Sequence, residues 1–313
     1  MVTITGIGVF DVPAADYHAD KLLDVPTLNA GTAKILLEQS PLHAWHSHPR
    51  LNHSFEPEDN KKKNIDFGSV MHATLLGGAT IAVIDAENYR TKAAQEARAA
   101  ALERGSVPVL PHQMEDVRRA CQAVRLQLRH HEASDALTAG KAEQTLIWQE
   151  REPPIWCRAK LDWLPNNRMA KSYAGLPIYD LKTTTDANPQ IWVHKLFDLG
   201  ADIQAVFYSR GIHAVLGISN PIFRFVVIEN APPFALSVIQ LSPSALDLAA
   251  RKVDDAMRLW AKCLKDDLWP GYDPYVFHVD SPPYQTQRFE ERQLLREQRK
   301  QFDRIRFLTV AAL

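Results

Sequence analysis

Tyr179-Asp180-Leu181-Lys182 places a carboxylate and an ammonium two residues apart in a run whose composition predicts a β-strand. Side chains alternate along a strand, so Asp180 and Lys182 share one face while Leu181 points into the opposite layer. Asp162 stands near the end of the preceding β-prone run. The residues between, with Pro165, Asn166-Asn167, Gly175 and Pro177, can fold that strand back beside Asp180. Two carboxylates and an ammonium would then converge at one sheet edge. Carboxylates suit a hard cation such as Mg²⁺ or Mn²⁺, and a neighbouring lysine can position or deprotonate a water acidified by that cation. Phosphodiester hydrolysis needs these parts: an activated nucleophile and neutralisation of the charge that builds on the transferring phosphorus. Asp-x-Lys on its own is also what a surface ion pair looks like.

Three further groups add weight. His72 lies in a segment bounded by glycines, Phe67-Gly-Ser-Val-Met-His72-Ala-Thr-Leu-Leu-Gly-Gly, with Gly68 one helical turn before it. A half-buried histidine satisfied by a backbone carbonyl would fit the same position. Gln204 and Tyr208, at i and i+4, project from one face of a predicted helix, as would a packed tyrosine beside a solvated glutamine.

These residues need elements to hold them. Thr32 to Gln39 reads as a short helix stopped by Ser40-Pro41, followed by a turn-rich stretch carrying His43, Trp45, His46 and His48. A charged loop over 56–64, with Lys61-Lys62-Lys63, precedes the His72 segment, which reads as a short helix closed by Gly77-Gly78. Residues 86–139 are rich in Ala, Glu, Arg, Gln and Leu and predict helix, split by Pro108 and Pro111. Three β-prone runs follow, at 144–148, 155–164 and 177–183. A helix over 188–215, a strand over 223–229 and an amphipathic helix over 242–264 come next. Residues 266–287 read as an extended Pro- and Tyr-rich strap and 289–308 as a charged helix. The order predicts an α/β core with a mixed central β-sheet flanked by helices, and a helical insertion (86–139) before the core strands. The expected division is a domain over 1–270 and a strap with a charged helix over 271–313.

Gly68-x-x-x-His72, Asp162, Asp180-x-Lys182 and Gln204-x-x-x-Tyr208 fall in the order of the PD-(D/E)xK nucleases of the RecB-like type. The chain more specifically resembles the nuclease domain of the exonuclease VIII (RecE) family over about residues 10–265. The resemblance is carried by Tyr17-His18, Thr27 to Leu37, Ser40-Pro41-Leu-His43-Ala-Trp45, Phe67 to His72, Cys157 to Leu164, Tyr179 to Thr184 and Gln204 to Tyr208. Asn29 stands where that family commonly has serine, and asparagine caps a helix as well. The resemblance implies that His72, Asp162, Asp180 and the Leu181 backbone carbonyl bind the catalytic Mg²⁺, with Mn²⁺ as a substitute. It implies that Lys182 acts on the attacking water and that Gln204 and Tyr208 orient the scissile phosphate or the DNA end. Glu143, at the start of the first core strand, is a candidate for supporting these ligands, or a solvated acid on an edge strand. The activity implied is 5′→3′ degradation of linear double-stranded DNA, leaving 3′ overhangs for a RecT-like single-strand annealing protein in phage-type recombination. A homo-oligomeric ring, a tetramer, is implied too. A RecB-like single-strand nuclease or endonuclease, or a non-catalytic DNA-binding module, would share the fold.

Composition sets outer bounds. The chain has 313 residues and a formal net charge of −1, which excludes a uniformly basic nucleic-acid coat but not a local basic groove. Three separated cysteines, Cys121, Cys157 and Cys263, exclude a disulfide framework or a four-cysteine metal site. No apolar run is long enough for a membrane span, and no leader pattern opens the sequence, so a cytoplasmic location is expected. GxxxxGK[ST] and GxSxG are absent, against ATP hydrolysis or a serine nucleophile. His43, His46, His48 and His53 lack partners at zinc spacing and are read as non-metal. From Arg288 to Arg306, seven basic residues outnumber four acidic ones, a solvated face or a surface for DNA or a second subunit.

Overall fold

The computed structural model describes residues 4–52, 54–55, 67–77, 80–166 and 175–310, the last eight by backbone alone. His53, Lys61 to Lys63, Gly78 and Asn167 lie outside the described residues. The chain divides into two units, 1–271 and 272–313.

The first unit is built on a six-stranded mixed sheet in the order β1-β4-β5-β6-β7-β8. These strands are β1 (Gly8–Asp11), β4 (Gly140–Gln149), β5 (Trp156–Pro165), β6 (Leu176–Thr184), β7 (Pro221–Glu229) and β8 (Leu236–Gln240). All neighbours are antiparallel except β6 and β7, which run parallel. Parallel neighbours require a crossover, and α7 (Pro189–Asp198) with α8 (Ala201–Leu216) supplies it. The sequence reads 188–215 as one helix. Gly200, at φ 69°, breaks it into two, because a left-handed residue cannot continue an α-helix and glycine adopts that conformation without penalty.

Helices cover both faces. On one, α8, α2 (Ala30–Glu38) and α9 (Pro243–Asp266) pack Phe207, Leu36 and Trp260 into a core with Leu146, Trp148, Ile178 and Phe225 of the sheet. Gly211 lets α8 sit against Trp148, since a Cβ there would lie 2.7 Å from the indole Cζ3. On the other face, α4 (Phe67–Leu76) and α6 (Pro111–Arg129) pack Met71 and Val124 over Tyr179, Leu181 and Val226. A third cluster holds the N-terminal arm, with Tyr17 and Leu22 against Ile147.

Two further expectations are corrected. Ser40-Pro41 does not only stop a helix. Ser40 caps and Pro41 opens α3 (Pro41–Ser47), because serine's oxygen satisfies a free N–H and proline's fixed φ suits the first turn. The region read as a helical insertion (86–139) contains α5 (Lys92–Glu103) and α6, but also β3 (Val107–Val109), which pairs in parallel with β2 (Ile81–Val83) just ahead of the region. Pro108 sits inside β3, where the small ribbon leaves its missing N–H without consequence.

The second unit contains α10 (Pro283–Val310), which begins at Pro283 rather than 289; its side chains described to 302 are exposed. No described helix is long and apolar enough to cross a membrane.

Candidate active site

β5 and β6 are paired only at Trp163 and Tyr179 and splay beyond that point. Into the gap reaches Asp162, whose Oδ2 accepts the Leu181 backbone N–H at 2.8 Å, a bond that a closed ladder would give to a carbonyl. Glu143 lies opposite Asp162 in the β4–β5 register but with φ 55°, the left-handed region. The alternation of faces breaks there. Ala142 and Trp163 belong to the α4–α6 side, whereas Leu146 and Leu161, at the same parity along their strands, face the other core. A non-glycine residue held left-handed costs roughly 1–2 kcal/mol, and here the cost accompanies a carboxylate aimed at the gap.

α4 brings His72 to this pair. Its Nε2 is 3.1 Å from Asp162 Oδ2 and its Nδ1 3.5 Å from Glu143 Oε1. One ligand atom from each of the three residues falls within 4.8 Å of the other two. Lys160, two residues before Asp162, contacts Glu143 Oε2 at 3.3 Å and donates to the Val12 carbonyl at 3.0 Å. Burial disfavours the His72 imidazolium, but the hydrogen bond to Asp162 and the Asp162, Glu143 and Asp180 charges outweigh it and raise its pKa. Two carboxylates directly across a strand pair repel, so the arrangement calls for positive charge between them. An imidazole and two carboxylates are a donor set for Mg²⁺ or Mn²⁺. His72, Glu143, Lys160, His18, Leu181 and Thr183 line a groove of about 810 Å³.

Asp180 and Lys182 face α8. Gln204 ties them: its Nε2 donates to Asp180 Oδ1 at 2.7 Å and its Oε1 accepts from Lys182 Nζ at 3.0 Å. Lys182 Nζ is also 2.6 Å from Asp180 Oδ2, an ion pair that holds the ammonium on this buried carboxylate. Asp180 is 3 % exposed, and burial with the neighbouring Asp162 charge pushes its carboxyl up to about 6 against the opposing pull of Lys182 and Gln204. Tyr208 lies one turn along α8 from Gln204, and burial holds its hydroxyl well above the ordinary tyrosine range.

The expected residues thus form two adjoining groups. His72, Glu143 and Asp162 make the close triad; Asp180, Lys182, Gln204 and Tyr208 make the second, coupled to the first through Asp162. Leu181 bridges them, giving its N–H to Asp162 and lining the groove. Glu143 is not on an edge strand, since β4 lies between β1 and β5. Its reading as a solvated edge acid is corrected by its contacts with His72 and Lys160. Lys160 was missed as a site residue. The alternation Arg158-x-Lys160-x-Asp162 was the available signal for Lys160. Among the histidines read as non-metal, His48 is buried against Asp20 at 3.4 Å, and His43 Nδ1 is 2.6 Å from Ser40 Oγ.

Residues 37–274 match the model of a family described as a PDDEXK-like domain of unknown function (DUF3799). No curated protein matches the chain in sequence. In structure it is similar to a crystal structure of a "Putative exonuclease" from Eubacterium rectale, with a TM-score of 0.53 and 12 % identity. That similarity covers 87 % of this chain and 96 % of the other. At that identity the likeness speaks for the fold alone. The family match spans most of the chain, and the chain belongs to the PDDEXK-like DUF3799 family, with the α/β fold of the PD-(D/E)xK nucleases.

Proposed function

We propose that this chain is a divalent-metal-dependent DNA exonuclease. The observation that carries the reading is the His72–Glu143–Asp162 triad adjoining Asp180 and Lys182 across the β5–β6 gap. His72, Glu143, Asp162 and Asp180 would hold Mg²⁺ or Mn²⁺, which would supply an acidified water and neutralise phosphate charge. Lys182, fixed between Gln204 and Asp180, orients the attacking water and offsets the negative charge that develops on the phosphate. Gln204 and Tyr208 set the position of that ammonium, and Lys160 gives the groove a second cation on the triad's side. The exonuclease VIII resemblance extends the proposal to 5′→3′ action on linear duplex, 3′ overhangs, a RecT-like annealing partner, a tetrameric ring and a cytoplasmic setting.

A time course on 5′- and 3′-labelled linear duplex, with Mg²⁺ and with chelator, tests the reading, with covalently closed circular DNA alongside. Metal-dependent release of 5′ label from the linear substrate alone is expected. Cleavage of the circle would make the protein an endonuclease, and no cleavage of any substrate would remove the nuclease reading. Lys182→Ala should lower kcat far more than DNA affinity, because its role is exerted in the transition state. An equal loss of both would make it a phosphate anchor.

A further inference from the structure

α6 carries its charge unevenly. Glu115 and Asp116 stand near its start, paired with Arg118 and Arg119. From Val117 to His131 there is then no acidic residue, although the chain as a whole has a net charge of −1. A helix face that only meets water usually mixes both signs. Arg118, Gln122, Arg125 and Arg129 follow one another at four, three and four residues, so they project from one side of the helix. Packing fixes which side. Val117, Cys121, Val124 and Leu128 are buried in the core beneath α4 and α6, and the arginine row runs along their border with solvent.

Together with Thr74 of α4, the row lines a hollow of about 380 Å³. Arg118 is held by Glu115 at 3.7 Å. Arg125 and Arg129 are exposed and have no acidic partner among the described residues. Like charges at i and i+4 destabilise a helix, so this pair is better suited to an anion from outside the chain than to the fold. The hollow lies one helix away from the candidate site, and α4 lines both. His72 and Leu76 face the 810 Å³ groove, whereas Thr74 faces the arginines. Each helical residue turns by about 100°, so positions 72 and 74 look to opposite sides of α4. A helix with its side chains is about 10–12 Å across, and one strand of duplex DNA carries a phosphate every ~3.4 Å along its axis. A strand whose cleaved phosphate sits at the triad therefore carries others within reach of the hollow.

We propose that the arginine row of α6 binds the phosphate backbone of the DNA substrate, some phosphates away from the bond that is cut. The planar fork of a guanidinium matches the paired oxygens of a phosphate, and the Gln122 amide adds a neutral donor. Such contacts position a duplex without reading its sequence, as degradation from any end requires. The inference rests on the nuclease reading for the identity of the polyanion.

Binding of a fluorescent linear duplex, followed by anisotropy in chelator so that no cutting intrudes, tests it. Wild type is compared with the double variant Arg125→Gln/Arg129→Gln. Arg251→Gln/Arg258→Gln on α9 removes the same charge from exposed acid-paired arginines and serves as control. Each lost phosphate contact flattens the slope of log K against log salt by about 0.9. The α6 variant should bind more weakly at ~50 mM salt with a slope shallower by about 1.8, so its deficit shrinks about twelvefold by ~200 mM. The control should keep the wild-type slope. With Mg²⁺, KM for linear duplex should rise in the α6 variant far more than kcat falls, the reverse of Lys182→Ala. Its urea midpoint should not fall, since both side chains are exposed and their mutual repulsion is relieved. A wild-type slope in the α6 variant, or an equal change in the control, would overturn the proposal, as would a wild-type protein that binds no duplex. A protein that shows the slope change but cuts nothing would sink the nuclease reading alone.

Discussion

Asp180→Asn should make the metal-free protein more stable while removing its activity. The carboxyl is pushed up to about 6 from its ordinary 3.8, mainly by burial and then by Asp162. The folded chain therefore keeps this proton over a pH range in which the unfolded chain has released it. The group's contribution to stability is fully present below about 3.8 and is lost as pH rises through about 6. A separation of about two pH units at 1.36 kcal/mol each amounts to about 3 kcal/mol. Asparagine is neutral at every pH and keeps an oxygen for the Gln204 amide. In chelator at about pH 8 the variant should exceed wild type by up to ~3 kcal/mol, and the advantage should shrink to near zero by about pH 4. Urea unfolding across that range measures the difference. A variant less stable than wild type at high pH in chelator would refute the reasoning, because the ionised carboxylate would then be net stabilising. Added Mn²⁺ should raise the wild-type midpoint and narrow the gap, since a cation bound to the folded state alone shifts the equilibrium toward it.

Arg158→Ala should destabilise by roughly 3–5 kcal/mol in urea unfolding, because it leaves Asp20 buried without its charge partner. A loss under about 1 kcal/mol would show the Arg158–Asp20 pair to be solvated. Gly211→Ala should cost about 1–3 kcal/mol, since the new methyl meets the Trp148 ring at 2.7 Å and α8 must lift from the sheet. Glu143→Gln should weaken Mn²⁺ binding at least tenfold by calorimetry, and an unchanged affinity would take Glu143 out of the ligand set.

The sheet's central strands β4, β5 and β6 were legible as β-prone runs bounded by Pro and Asn turns, and α9 because its apolar residues recur at helical intervals over many residues. Short elements were not. β1 has four residues and β2 and β3 three each, too few for a period to show, and Pro108 argues against a strand unless the strand is marginal. The break at Gly200 hides because both α7 and α8 have good helix formers, and only the left-handed glycine separates them. For the site, residue types and order pointed to His72, Asp162, Asp180, Lys182, Gln204 and Tyr208. What sequence could not convey is that they divide into two groups across a gap. That depends on β5 and β6 parting after one pair and on Glu143 turning left-handed, neither of which has a composition signature.

The N-terminal arm also bears on where a folding unit ends. Residues 8–11 form β1, the outer neighbour of β4, and Tyr17 and Leu22 cover Ile147. A fragment cut at residue 37, where the family match begins, would strip β4 of that neighbour and leave a row of unpaired peptide groups beside a bared isoleucine. Such an edge invites pairing with another molecule's strand. The shortened protein should clump on expression even though every carboxylate of the triad is retained.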